Sequence, residues 1–351
     1  LVGNETYKKN NLYGRYMSYG TFQILEKSLK ESGFESEGWS WAHYPGTTAI
    51  ALPDEKLISA ISQIDTQSGV EEMLISDETY SGGNSLNNNG MFAMKLHENE
   101  KYNGSHRARK SVFFFDNRAV LLGSNIENND KEHETHTTLF QNALGKNKIT
   151  SSEKHFGGNS FILDSQKNLY KIVKGEAVYR KGLQKSHNHK TCKPTQNNYE
   201  LAYINHGKNP KDAKYAYVIL PMFSKEEVDS FDTSRFEIVK ADNEAHIVKD
   251  RQTNTVGINF WKDKPQKFGG IKTYSTLSVL KKEKGDILDL YVSDPAQIQN
   301  YDSKIELDGK YELVESTDKN IKLNIKNFIT EIEVDLKNNG ATKYIKLRKV
   351  K

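Results

Sequence analysis

The chain has 351 residues, with 36% hydrophobic and 27% charged side chains and a formal net charge of +4 from 50 basic and 46 acidic residues. That length holds two or three domains. So even a balance excludes the strong field of a dedicated nucleic-acid binder, though an anionic polymer can still be held locally, and apolar runs a few residues long fall far short of the roughly 20 that a membrane-spanning helix requires.

The chain opens at Leu1, and no basic, apolar and small-residue leader layout lies near it, so the gene product is expected to start upstream. Glu5 follows at once, nine residues before Gly14 and ten before Arg15. A carboxylate with a fold behind it and nothing in front suggests the back half of something larger. Arg15 is expected on a strand, either gripping sulfate or carboxylate bidentately or serving as a surface ion-pair partner. Trp39 and Trp41 alternate, so on a strand they face one side, where they suit either sugar stacking or core packing. His43 follows, a donor to an anionic group or a satisfied structural residue. The Gly- and Asn-rich stretch from Ser81 to Gly90, with Asn87 near its middle, tolerates positive φ and offers amide donors. It suits a flexible lip over a cleft or a plain hairpin connection.

Short β-branched and aromatic runs then recur at Ser111 to Phe115, Ala119 to Leu122, Phe161 to Leu163, Tyr203 to Asn205, Tyr215 to Leu220 and Ile287 to Val292. Gly, Asn, Asp and Pro clusters separate them. Between these runs His133 and His136 flank Glu134, and His187 and His189 alternate; both sets are expected to be exposed, and neither has the spacing of a helix-borne zinc pair. Cys192 is the only cysteine, which removes an intrachain disulfide or a cysteine-clustered zinc site. Ser224 to Phe231 reads as a short capped helix and a hinge. Beyond it Ile321, Leu323 and Ile325, then Ile332, Val334 and Leu336, then Ile345 and Leu347 alternate with polar residues as half-buried strands. The fold class is therefore all-β: a large antiparallel β-sandwich domain over residues 1–233, followed by a smaller C-terminal β-sandwich over 234–351.

Several segments in one order carry more than any spacing rule. They are Gly33-Phe34-Glu35; Gly38-Trp39-Ser40-Trp41-Ala42-His43-Tyr44-Pro45-Gly46-Thr47-Thr48; Lys110-Ser111-Val112-Phe113-Phe114-Phe115-Asp116; Leu122-Gly123-Ser124-Asn125-Ile126; Glu134-Thr135-His136-Thr137-Thr138-Leu139-Phe140-Gln141; and the run from Asn205-His206-Gly207 to Tyr217. Together they resemble the C-terminal half of polysaccharide lyase family eight, nearest to its chondroitin sulfate ABC lyases. The likeness runs from about Glu5 onward, is strongest before Tyr217 and is weak after about Phe236.

The resemblance implies a central and a C-terminal β domain without the family's α/α toroid. It implies β-elimination beside a uronic acid, which requires neutralising the carboxylate and placing a base at the C5 proton. In the family an Asn and a His of the toroid polarise the carboxylate, a Tyr is base and then acid, and an Arg helps to hold the Tyr and the sugar. The remaining catalytic Glu comes from the start of the central β domain, and Glu5 stands at that position relative to Gly14. Its implied duty is to hold the Arg and Tyr in geometry. Residues considered for substrate contact are Arg15, Trp41, His43 and Asn87. No cofactor is expected to be required, and a divalent cation has no assignable site. The expected partners are an anionic glycosaminoglycan and the missing toroid, with no nucleic acid or membrane, in a secreted or periplasmic bacterial setting. The competing reading is a non-catalytic β-sandwich protein that binds sulfated glycans.

Overall fold

The computed structural model describes residues 13–58, 76–223, 231–232, 234–298, 302–337 and 340–350. Glu5 and most of the expected helix from Ser224 to Phe231 therefore lie outside the described residues.

The described chain is built of antiparallel strands, as the period-two patterns require. The expected runs fall inside observed strands: Arg107–Phe115, Arg118–Glu127, Phe161–Leu163, Pro194–Lys208, Ala213–Leu220 and Ile287–Ser293. Two expectations fail locally. Gly14–Ser18 is a 3-10 turn, so Arg15 is not on a strand. Trp39 and Trp41 lie in an irregular segment that precedes the strand Thr48–Ile50. That segment turns at Gly33, Gly38 and Gly46, whose φ values of 82°, 74° and 81° favour glycine.

The chain forms two compact units, interleaved in sequence: residues 1–78, 96–108 and 124–229 make one, and residues 79–95, 109–123 and 230–351 the other. The first contains a five-stranded sheet in the order Thr48–Ile50, Glu134–Gly145, Pro194–Lys208, Ala177–His187, Ser152–Phe156. Register shifts along the Glu134–Gly145 and Pro194–Lys208 pair include one between Ala202 and Tyr203. Such a bulge changes which side chains share a face. In the same unit Ala213–Leu220 pairs with Leu169–Lys174, which pairs with Phe161–Leu163.

The second unit contains a seven-stranded sheet, Phe236–Ala241 to Tyr311–Ser316, and a five-stranded one that includes Ile271–Thr273, Ser303–Asp308 and Ile329–Val334. Ile258, Val279, Leu290 and Ile345 of the first pack in one buried cluster with Ile271, Ile305, Ile332 and Val334 of the second. This is the sandwich core that the alternating isoleucines and leucines predict. The hairpin Ser81–Leu86 and Asn89–His97 belongs to this unit through residue 95. Asn84 Nδ2 donates to the carbonyls of Ser278 and Tyr291 at 2.9 and 3.0 Å. Among the described residues no helix is long and apolar enough to cross a membrane.

Candidate functional site

The segment that leads in from Glu5 is pinned by aromatic residues three apart, Tyr13, Tyr16 and Tyr19, all buried. Three-residue spacing places side chains above one another on a 3-10 turn. Tyr13 stacks on Trp41 with ring centroids 5.4 Å apart. Tyr44 donates its hydroxyl to the Tyr13 carbonyl at 3.0 Å.

Glu98 anchors the other end of the turn. It accepts from the Tyr19 hydroxyl at 2.6 Å and from the backbone N–H groups of Ser105 and His106 at 3.2 and 3.1 Å. The Arg15 guanidinium lies 3.7 Å from the same carboxylate and 5.5 Å above the Tyr16 ring. Burial alone would raise the Glu98 carboxyl, but His106, the Tyr19 hydroxyl and Arg15 together hold it below the ordinary carboxylate range. Burial first, then the Glu98 charge, pushes the Tyr19 hydroxyl well up, so it stays a donor.

A second constellation gathers on the five-stranded sheet. Gln141 holds the loop that carries it: its Nε2 donates to the carbonyls of Ser40 and His43 at 3.2 and 2.9 Å, while its Oε1 accepts from the Ser40 N–H at 2.8 Å. The side chains then form a line. Ser40 Oγ is 2.7 Å from His43 Nδ1, His43 Nε2 is 3.0 Å from His136 Nδ1, and His136 Nε2 is 3.2 Å from Glu134. One tautomer set satisfies every link: Ser40 donates to His43, His43 to His136 and His136 to the Glu134 carboxylate. Both imidazoles must be neutral for that. Burial, with His206 and Arg180 nearby, brings the His136 ring down to about 3. Burial, with His136 and Arg180, carries His43 well below its ordinary value. The His136 ring stacks on Tyr203 at 3.9 Å, and the Arg180 guanidinium sits 5.5 Å over that same tyrosine.

Beside this line His187 Nδ1 donates to Asp54 at 2.7 Å, and Ser186 Oγ donates to the same oxygen at 3.1 Å. Trp41 Nε1 donates to the His187 carbonyl at 2.7 Å.

Trp41, only 2% exposed, is therefore a core residue that supports the Tyr13 segment. His43 is half-buried inside the hydrogen-bonded line, and Arg15 is tied to Glu98. The structure places these three in one compact unit, linked through the Tyr13 ring and the loop that carries Trp41 and His43. Asn87 belongs to the other unit, exposed in the two-residue turn of the hairpin, with a φ of 48°. Of the histidines expected to be exposed, His136 is buried at 6%, and His133, His187 and His189 are half-buried. Their polarity suggested solvent, but Asp130, Asp54 and the imidazole line supply partners that make burial tolerable. Sequence reasoning missed Glu98, Arg180 and Tyr203, which meet their partners only through the fold. The Tyr13, Tyr16, Tyr19 spacing was the available signal for the turn. Among the described residues no group of three or more His, Cys, Asp or Glu side chains is placed to hold a metal ion.

Residues 2–232 match the family model for the polysaccharide lyase family 8 super-sandwich domain, and residues 237–301 match the model for its C-terminal β-sandwich domain. The chain belongs to polysaccharide lyase family 8. It is 42% identical over 274 residues to a chondroitin sulfate ABC exolyase of Proteus vulgaris, a match that covers 74% of this chain and 27% of that protein. A chondroitin sulfate ABC exolyase of Bacteroides thetaiotaomicron is 37% identical over 84% of this chain and 30% of its own length. This family member thus spans less than a third of the length of either relative. The solved Paenibacillus xanthan lyase shares the fold, with a TM-score of 0.80 at 23% identity over 98% of this chain and 34% of that one.

Proposed function

We propose that this chain is the β-sandwich half of a glycosaminoglycan lyase that cleaves chondroitin or dermatan sulfate, with hyaluronan as a further candidate substrate, by β-elimination at the uronic acid. The observation that carries this reading is the 42% identity with the Proteus vulgaris exolyase, together with a family match that begins at residue 2 and so takes in Glu5. In the reaction the C5 proton passes to a tyrosine oxygen and the C4–O bond breaks. The electron pair becomes the C4–C5 double bond, and the tyrosine returns its proton to the departing oxygen.

Glu5 supplies a carboxylate that orients the arginine and tyrosine of a helical toroid, and the Tyr13 to Tyr19 turn that follows it in sequence is anchored in the sandwich. The partners are an anionic polysaccharide and that toroid, on the same protein or a companion chain. The setting is extracellular or periplasmic, where such polymers are met; recovery of the native protein solely from bacterial cytoplasm on fractionation would contradict it.

The test is ultraviolet absorbance of unsaturated uronate released from chondroitin sulfate, by this chain alone and with the helical half of a related lyase. Product only from the mixture is expected. Turnover by the chain alone would refute the split site, and silence from a mixture shown to assemble would leave a glycan-binding protein without elimination chemistry.

A further inference from the structure

The strand Ala177–His187 and the Ser40 to His43 loop border a groove that the elimination chemistry does not use. One depression of about 580 Å³ is lined by Ser40, His43, Glu153, Arg180, Lys181 and Lys185 among others. A second of about 1180 Å³ shares Ser40, His43 and Lys185 with it. The second is lined by three carboxylates, Glu37, Asp54 and Glu55, against the one lysine Lys185, so only the first suits an anion.

In the first depression Arg180 and Glu153, register partners on adjacent strands, share one face of the sheet, whereas Lys181 and Lys185, an odd number of residues from Arg180 on an unbroken register, project to the other. Arg180 donates through Nε to Glu153 at 2.7 Å, and its two terminal nitrogens have no protein partner among the described residues. Those two nitrogens form the fork that matches carboxylate or sulfate oxygens. The Tyr203 ring beneath the guanidinium limits its freedom.

Bare backbone forms part of the lining. Gly182 has a φ of 146°, and a Cβ there would lie 2.5 Å from Ser151 Oγ. Ser40 spends its hydroxyl proton on His43, which leaves its oxygen as an acceptor for a sugar hydroxyl.

We propose that the first depression is a subsite for an acidic sugar of a glycosaminoglycan chain, with the Arg180 guanidinium as anion anchor. The inference rests on the lyase reading for the identity of the polymer, but its geometry does not involve Glu5.

The experiment is calorimetric titration of the 351-residue chain with a chondroitin sulfate hexasaccharide at low and moderate salt. The variants are R180M, K185M and E153Q, each checked by its melting curve. The R180M chain should bind about tenfold more weakly, the order of one charge-assisted contact, with a shallower salt dependence. K185M, which removes a charge from the other face of the sheet, should bind as the parent does, and E153Q, which frees Arg180 from its competitor, should bind as well as or better than the parent. A non-sulfated chondroitin hexasaccharide identifies the group held: equal binding assigns a carboxylate, and binding of the sulfated chain alone assigns a sulfate. No binding by the parent chain, or equal binding by the parent and R180M, overturns the subsite. In the assembled mixture R180M should raise KM and spare kcat. A parent mixture without elimination product defeats the lyase reading and leaves the titration result standing.

Discussion

Tyr13 lies flat on Trp41, ring centroids 5.4 Å apart and planes 11° from parallel, so the first described residue of the chain is stacked on a buried indole. Glu5 is eight residues upstream in sequence. Replacing Tyr13 by Ala should cost about 3 kcal/mol of stability through the lost ring burial and the cavity left behind. Urea unfolding of the chain measures it. Phe should recover most of the loss, and a Tyr13→Ala midpoint equal to the parent's would remove the anchor from the account.

Glu98 joins the Tyr19 hydroxyl, two backbone N–H groups and Arg15 at one buried carboxylate. Glu98→Gln keeps the shape but weakens every bond the charge assists and leaves Arg15 without its counter-charge. About 2 kcal/mol of destabilisation is expected. A double-mutant cycle with Arg15→Met should show that the two losses do not add, and strict additivity would mean that the pair does not interact.

Acid should weaken the unit that holds His43 and His136. In the folded chain His136 titrates near 3, largely through burial, whereas an unfolded imidazole takes its proton near 6.5. A depressed folded value means that the unfolded state gains protons first, so the full contribution is present above about pH 6.5 and is lost as pH falls toward 3. Each such group adds a slope of about 1.4 kcal/mol per pH unit inside that window. Melting temperatures from pH 7.5 to 4.5 should fall, and His136→Gln should flatten the decline even if it lowers the plateau. A slope unaltered by the substitution would mean that other groups set the acid response.

Glu5→Gln in the assembled enzyme should lower turnover on the order of 100-fold with little change in KM, as expected for a residue that positions catalytic groups rather than gripping substrate. Initial rates of unsaturated uronate formation decide it. Unchanged kcat would remove Glu5 from the site.

The strands were legible because alternation such as that of Ile332 and Val334 buries one face, and because apolar runs such as Tyr215 to Leu220, buried at every position, are too short for a helix. Trp39 and Trp41 show the limit of that rule. An alternating aromatic pair also arises where a glycine-turned loop folds back, and the positive φ of Gly33, Gly38 and Gly46 marks such a loop only after the backbone is seen. Arg15 sits on a 3-10 turn and not on a strand because the tyrosines around it recur every three residues, the period of that turn, and are buried. Glu98, Gln141 and Arg180 had no local signal at all. Their roles come from partners far along the chain, Tyr19 in the first case and Ser40 in the second, so only tertiary packing reveals them. Recognition of Glu5 came from the order of family-like segments, and none of its surroundings could supply it.

The interleaving of the two units constrains how such a protein can be remodelled by recombination. A single breakpoint after residue 233 would transplant strands 236–349 while leaving Asn84 behind, its amide stripped of the Ser278 and Tyr291 carbonyls. Arg235 would depart with Asp250 but without Asp116. An exchanged terminal sandwich would have to bring carbonyls and a cation that fit a hairpin inherited from another parent. Descent of the two halves as a matched set is the arrangement that spares a lineage this mismatch.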